Sequence, residues 1–324
     1  MAVKSILQAI NEGLDQAMDK DESIVVYGED VGYEGGVFRA TAGLQKKYGE
    51  ARVFDSPIAE AAIAGSALGM SLNGLKPVVE MQFSGFSLPA FNQIVTHVAR
   101  FRNRSRGKYH VPMVVRMPYG GGVRALEHHS ESLETLYAHI PGLKLVIPST
   151  PYDAKGLMIA AINDPDPVII MEPKRIYRAF KQDIPDEPYE VEIGKARMVK
   201  EGKDLTIIAW GALVREVEKA MKDLDVDAEI IDLRTIAPMD TETIINSVKK
   251  TGRVLVVHEA YKSFGPAAEI ISRINEDAFF YLEAAPKRLA GFDVTIPLPK
   301  GENHFIIKPE QIAYEVKKLM AEKA

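Results

Sequence analysis

The residues with the most chemistry to offer stand in four short segments, each directly after an apolar, β-rich run. They read Gly28-Glu29-Asp30-Val31-Gly32, Asp55-Ser56-Pro57-Ile58-Ala59-Glu60, Gln82-Phe83-Ser84-Gly85-Phe86 and Pro118-Tyr119-Gly120-Gly121-Gly122, the last leading to His128-His129-Ser130-Glu131-Ser132. Glutamate and histidine are common proton carriers in acid–base catalysis. An aromatic ring such as Phe86 offers a face for offset stacking. The glycine run at 120–122 could aim backbone N–H groups at a phosphate, but it has neither Gly-x-Gly-x-x-Gly spacing nor a Walker lysine. His128 and His129 are adjacent and share no face, and no further ligand stands at zinc spacing. Taken singly, each segment also reads as helix capping, tight turning or core cover.

The elements that must position these segments alternate regularly. Strands are expected over 24–27, 52–54, 77–81, 113–116, 144–147 and 168–171, and helices over 59–72, 89–102 and 152–163. Short buried strands separated by crossover helices make a doubly wound, mostly parallel α/β sheet. Ligands bind beyond the carboxyl ends of the strands in such sheets, where all four segments fall. Between 172 and 192 the pattern lapses into a charged stretch with Pro173, Pro185 and Pro188, as a connection between domains does. The alternation then resumes, with strands over 205–210, 228–231 and 253–258 and helices over 213–224, 241–250 and 309–320. The expected organisation is an α/β domain at 1–185 followed by a smaller α/β domain at 186–324.

Composition excludes several other readings. The chain has 324 residues, no cysteine and a formal charge of −5, with both signs interspersed, which argues against a nucleic-acid partner, disulfide stapling and thiolate chemistry. Arg100, Arg102, Arg104 and Arg106 follow an apolar helical pattern and read as helix-end or subunit-contact cations. The first 21 residues lack the apolar core of a signal peptide, and no run reaches the length of a membrane span. A cytoplasmic location is expected.

The four segments also occur in a longer ordered set. Gly28 to Gly32 is followed by Gly35-Gly36-Val37-Phe38-Arg39-Ala40-Thr41-x-Gly43-Leu44, Arg52-Val53-Phe54-Asp55-Ser56-Pro57-Ile58-x-Glu60, Pro77-Val78-x-Glu80-x-Gln82-Phe83, His129-Ser130-Glu131-Ser132 and the run from Pro141-Gly142-Leu143 to Lys155-Gly156-Leu157. Through this set, which runs over nearly the whole chain, the sequence resembles the β subunit family of thiamine-diphosphate-dependent 2-oxo acid dehydrogenases. The resemblance implies a pyrimidine-binding α/β domain and a transketolase C-terminal-like domain. The wording of the motifs leans toward the pyruvate dehydrogenase members, with branched-chain 2-oxo acid or acetoin dehydrogenases as same-fold alternatives. A noncatalytic scaffold subunit is the alternative of a different class.

The resemblance assigns roles residue by residue. Glu60 matches the glutamate that shares a proton with N1′ of the cofactor's aminopyrimidine. Phe86 matches the aromatic that packs on that ring, and Ile58 lies in the same cofactor-binding motif. Glu29 matches a carboxylate of a polar tunnel between two cofactor sites, and His129 the histidine beside the reacting carbon. The reaction implied is oxidative decarboxylation of a 2-oxo acid with acyl transfer to a lipoyl-bearing transacylase. The Gly-Asp-Gly motif that carries Mg²⁺ and diphosphate is absent from this sequence, so the resemblance implies an α subunit supplying that half in an α2β2 heterotetramer. It further implies a potassium site from the backbone of Met113, Ala161 and Ile162 and the side chains of Asp164 and Asp166.

Overall fold

The computed structural model describes residues 2–322. In chain order the first half contains β1 (Ala2–Lys4), α1 (Ile6–Lys20), β2 (Ile24–Gly28), α2 (Leu44–Tyr48), β3 (Val53–Asp55), α3 (Glu60–Leu72), β4 (Lys76–Glu80), α4 (Phe101–Arg104), β5 (Val114–Tyr119), α5 (Glu134–Ala138), β6 (Lys144–Val146), α6 (Pro151–Asn163), β7 (Val168–Pro173) and β8 (Gln182–Ile184). The second half contains β9 (Arg197–Lys200), β10 (Leu205–Ala209), α7 (Leu213–Met221), β11 (Ala228–Asp232), β12 (Thr235–Ala237), α8 (Thr241–Thr251), β13 (Val254–Tyr261), α9 (Pro266–Ala278), β14 (Lys287–Gly291), α10 (Glu302–Phe305) and α11 (Pro309–Ala321).

The larger sheet has seven strands in the order β12-β6-β7-β5-β4-β2-β3. Its strands β2 to β7 pair in parallel, and β2, β5 and β7 are buried along their whole length. That double-sided burial accounts for their continuous apolar runs. The second sheet has five strands in the order β14-β13-β10-β11-β9, with β9 antiparallel at its edge.

Helix starts follow local chemistry. Ser5 and Gln8 form a reciprocal capping box at α1, Thr150 caps α6 with Pro151 at its first position, and Asp240 caps α8, each satisfying amides that have no partner within the helix. Arg102 and Arg104 lie on α4, with Arg100 just before it. Arg102 pairs with Asp166 at 2.5 Å, so this part of the basic stretch is helix-end chemistry.

Two expectations change. The helix expected over 89–102 is broken into a 3₁₀ segment Ser84–Ala90, a π-helical segment Gln93–Val98 and α4. Pro89 has no N–H to give to a helical ladder, and the wide π turn is closed by the Ala99 N–H donating to Ile94 O at 2.9 Å. The two halves are also more tightly joined than a charged linker suggests. Strand β12 leaves the second half to pair antiparallel with β6 in the first sheet. One apolar core runs from Tyr27, Val79 and Met117 through Trp210 to Val256 and Ile270.

Candidate active site

Sheet order brings the four sequence segments into one row. They follow β2, β3, β4 and β5, and these strands are consecutive neighbours, β5-β4-β2-β3, in the larger sheet. Parallel pairing puts their carboxyl ends on one rim.

Backbone and side-chain hydrogen bonds stitch the loops together. Asp55 Oδ1 accepts from the Gly32 N–H at 2.6 Å, and Oδ2 from that of Tyr33 at 3.2 Å. Gln82 Nε2 donates to Asp30 Oδ2 at 2.9 Å, and Thr41 Oγ1 donates to Val31 O at 2.7 Å. Asp30 adopts a left-handed backbone with φ of 58°, a conformation that aspartate tolerates better than most residues. Glu29, just before this turn, is 6% exposed. Its Oε1 is buried without a hydrogen-bond partner.

Burial raises the pKa of Glu29, and the charges of Glu60 and Asp30 push it further the same way. Removing a carboxylate from water disfavours its ionised form, and like charges nearby add to that effect. Glu60 opens α3 and is half-buried, so the two glutamates from neighbouring strands share one electrostatic environment. Ile58, two residues before, is 84% exposed, an apolar side chain presented outward beside two acids.

The β4–β5 end of the row is aromatic. His129 ends a short 3₁₀ turn, Glu127–His129, and its ring packs edge-on against Phe83 at 4.5 Å and Phe86 at 4.9 Å between centroids. His129 Nδ1 is buried and has no hydrogen-bond partner. The side chain of His128 is 57% exposed and lies 3.4 Å from Glu131 Oε2, so the two histidines face different surroundings. Phe83, not singled out as a site residue from the sequence, touches both Phe86 and His129. Its place in the Gln82-Phe83 motif was the available signal.

The glycine-rich segment cradles no phosphate as it stands. The N–H of Gly122 donates to Glu302 Oε1 at 2.7 Å and that of Arg124 to Glu302 Oε2 at 2.8 Å, so a carboxylate from the second half fills the turn. Nothing local in the sequence marks Glu302, which lies about 180 positions away along the chain.

A thiamine-type ring fits the residues present. Two carboxylates, one with an unpartnered buried oxygen, could receive the polar edge of a heteroaromatic base, while Phe86 could take one of its faces. At the glycine turn on this rim, the amides that could meet a diphosphate are already taken by Glu302. The potassium set fits less well. Asp164 receives Lys144 Nζ at 2.8 and 2.5 Å, and Asp166 receives Arg102. Both carboxylates are thus paired with the chain's own cations, while Met113, Ala161 and Ile162, which would give backbone carbonyls, are buried. Among the described residues no helix is long and apolar enough to cross a membrane.

Comparison with known proteins identifies the two halves of the chain. Residues 3–179 match the transketolase pyrimidine binding domain, and residues 194–312 the transketolase C-terminal domain. The chain is 65% identical over 322 residues to the pyruvate dehydrogenase E1 component subunit beta of Acholeplasma laidlawii, covering 98% of both chains. It is 48% identical to the protein of the same name from Bacillus subtilis, over 99% of each. The mitochondrial 2-oxoisovalerate dehydrogenase subunit beta of Dictyostelium discoideum is 50% identical over 91% of this chain and 80% of its own length. Among solved structures, a split-gene transketolase described as an inactive beta4 tetramer superposes with a TM-score of 0.80 at 20% identity, over 99% of this chain and all of its own. The chain belongs to the family of pyruvate dehydrogenase E1 component β subunits, built from a transketolase pyrimidine-binding domain and a transketolase C-terminal domain.

Proposed function

We propose that this chain supplies the aminopyrimidine half of a thiamine diphosphate site and, with an α subunit, catalyses oxidative decarboxylation of pyruvate with acyl transfer to a lipoyl group. The observation that carries the reading is Glu29, a buried carboxylate with an unpartnered oxygen that feels the charge of Glu60 from the next loop. Such an arrangement is costly in an isolated domain and suits a partner that brings hydrogen-bond donors.

Thiamine diphosphate, when bound, supplies a carbon nucleophile for the 2-oxo acid and an electron sink for loss of CO₂. Glu60 would share a proton with the ring nitrogen it meets, a task suited to a half-buried carboxylate at the rim. Glu29 would accept from the polar edge of the site and relay protons along it. Phe86 would orient the ring by stacking, with Phe83 behind it holding the imidazole of His129 edge-on. His129 would present a nitrogen to the charge that develops on the substrate. The diphosphate and Mg²⁺ would be held by the α subunit.

A partner is also favoured by α3. That helix has no polar face: its exposed positions include Ala61, Ala62, Ser66 and Gly69, and an apolar helix of this kind is ordinarily covered. An α2β2 assembly would cover it beside Glu60 and Ile58.

The decisive experiment measures decarboxylation with thiamine diphosphate and Mg²⁺, first with the chain alone, then after co-expression with an α subunit. Pyruvate and branched-chain 2-oxo acids are compared. Activity confined to the assembled pair and strongest with pyruvate is expected. Preference for the branched-chain acids would move the assignment toward the 2-oxoisovalerate relative, and an inactive, well-formed pair would favour a scaffold role.

A further inference from the structure

The turn that leads to His129 is gripped from two sides by buried charges that the reaction outlined above does not use. Gly122 and Arg124 have left-handed backbones, with φ of 95° and 56°. Their N–H groups converge on the two oxygens of one carboxylate, and such concave pairs of amides take anions. The anion is Glu302 at the start of α10, which is 1% exposed and receives both amides at 2.7 and 2.8 Å. Glu302 makes no ion pair among the described residues. Its carboxylate is therefore desolvated and held chiefly by two amides of a loop from the other half of the chain. On the opposite side, buried Lys174 donates to the carbonyl of Gly120. Burial lowers its ammonium pKa to about 8, against the pull of Glu259 and Glu302.

The glycines are fitted to this grip. A β-carbon at Gly122 would overlap the side-chain stem of Arg175, and one at Gly121 would press on Ile296 at 3.1 Å and on Glu302 Oε1 at 3.3 Å. The loop is then closed by the Gly120 N–H donating to Glu131 O at 3.0 Å, two residues past His129. An anchored start and an anchored end leave the imidazole little freedom to shift.

We propose that Glu302 is a positioning residue for the proposed reaction: its carboxylate latches the turn at 120–124 and thereby fixes His129 against Phe83 and Phe86. The inference rests on the placement of His129 at the reacting centre. It also gives the second half a task in catalysis besides packing.

The test uses the α2β2 assembly with Glu302→Ala, Glu302→Gln, His129→Ala and the double variant His129→Ala with Glu302→Ala. Hydrogen exchange is followed on the peptide spanning 120–126. Loss of the latch should speed exchange there by about tenfold or more, with the sheet strands unchanged. Misplacing a catalytic group should lower kcat by about tenfold or more while KM for the 2-oxo acid moves little. Glu302→Gln, which keeps one acceptor oxygen, should fall between wild type and Glu302→Ala. In the His129→Ala background, Glu302→Ala should add almost no further loss, because its effect runs through the missing ring.

Unchanged exchange at 120–126 would overturn the latch. Faster exchange with unchanged kcat, or an equal loss in the presence and absence of His129, would overturn the positioning role. If the wild-type assembly decarboxylates no 2-oxo acid, the functional reading and the positioning role fall together, while the exchange measurement still decides the latch.

Discussion

Arg116 and Glu172 lie fork to fork in the buried centre of the larger sheet, with Nε donating to Oε1 at 2.8 Å and Nη2 to Oε2 at 2.7 Å. The two come from β5 and β7, adjacent parallel strands, and each is at most 1% exposed. Arg116 also reaches Glu80 on β4, and Tyr177 donates its hydroxyl to Glu172. One guanidinium thus ties three strands beneath the row of site loops.

That arrangement makes Arg116→Met a severe change. It removes the shared cation and leaves Glu80 and Glu172 buried together, which should cost about 3–5 kcal/mol. Replacing Arg116 and both glutamates by apolar residues should cost much less than this single change. Urea denaturation of the three proteins measures the difference, and equal losses would show that the pairing is not what makes the single variant unstable.

Trp210 separates two buried groups with opposite pH behaviour. Its Nε1 donates to Glu134 Oε1 at 3.3 Å, and its ring stacks on His258 with centroids 5.3 Å apart. Burial raises the pKa of Glu134 to about 7, whereas burial, aided by the charge of Arg288, lowers that of His258 to about 3. The contribution of Glu134 is fully present below the ordinary carboxyl range and is lost as pH rises toward 7. That of His258 is present above the ordinary imidazole pKa and is lost as pH falls toward 3. These shifts correspond to a few kcal/mol each, on the order of 1.4 kcal/mol per pKa unit. Relative to wild type, Glu134→Gln should therefore gain stability from pH 5 to 8, and His258→Phe should gain it as pH falls below 6. Denaturation midpoints at four pH values test both, and differences that slope the same way would contradict the assignment.

Glu60→Ala in the α2β2 assembly should reduce turnover by about 10²–10⁴, the usual range for a lost general acid–base group. Cofactor binding, followed by calorimetry, separates a chemical loss from a failure to bind. Near-normal turnover with bound cofactor would remove Glu60 from the proposed chemistry.

Gly85→Ala should disturb the site without unfolding the sheet. A β-carbon there would overlap the carbonyl of His128 and the carboxylate of Glu131, so the histidine loop would have to move away from Phe86. A fall in kcat of about tenfold or more is expected, with a single cooperative thermal transition retained at a somewhat lower midpoint. If activity stays at the wild-type level, the loop must have slack that the close contact at Gly85 does not suggest.

Much of this protein was legible in the chain itself. Buried parallel strands need unbroken apolar runs, and crossover helices need an apolar face, so the α/β alternation and the rim position of Glu29, Glu60, Phe86 and His129 follow from local pattern. The tertiary structure alone decided which strands are neighbours, and therefore that these four loops form a row. It also decided that Glu29 lies buried where it feels the charge of Glu60, that β12 closes the first sheet from the second half, and that Glu302 fills the glycine turn. The physical reason is range. Periodicity and capping act over a few residues, whereas burial, charge coupling and the capture of an amide by a carboxylate about 180 positions distant exist only once the chain has packed.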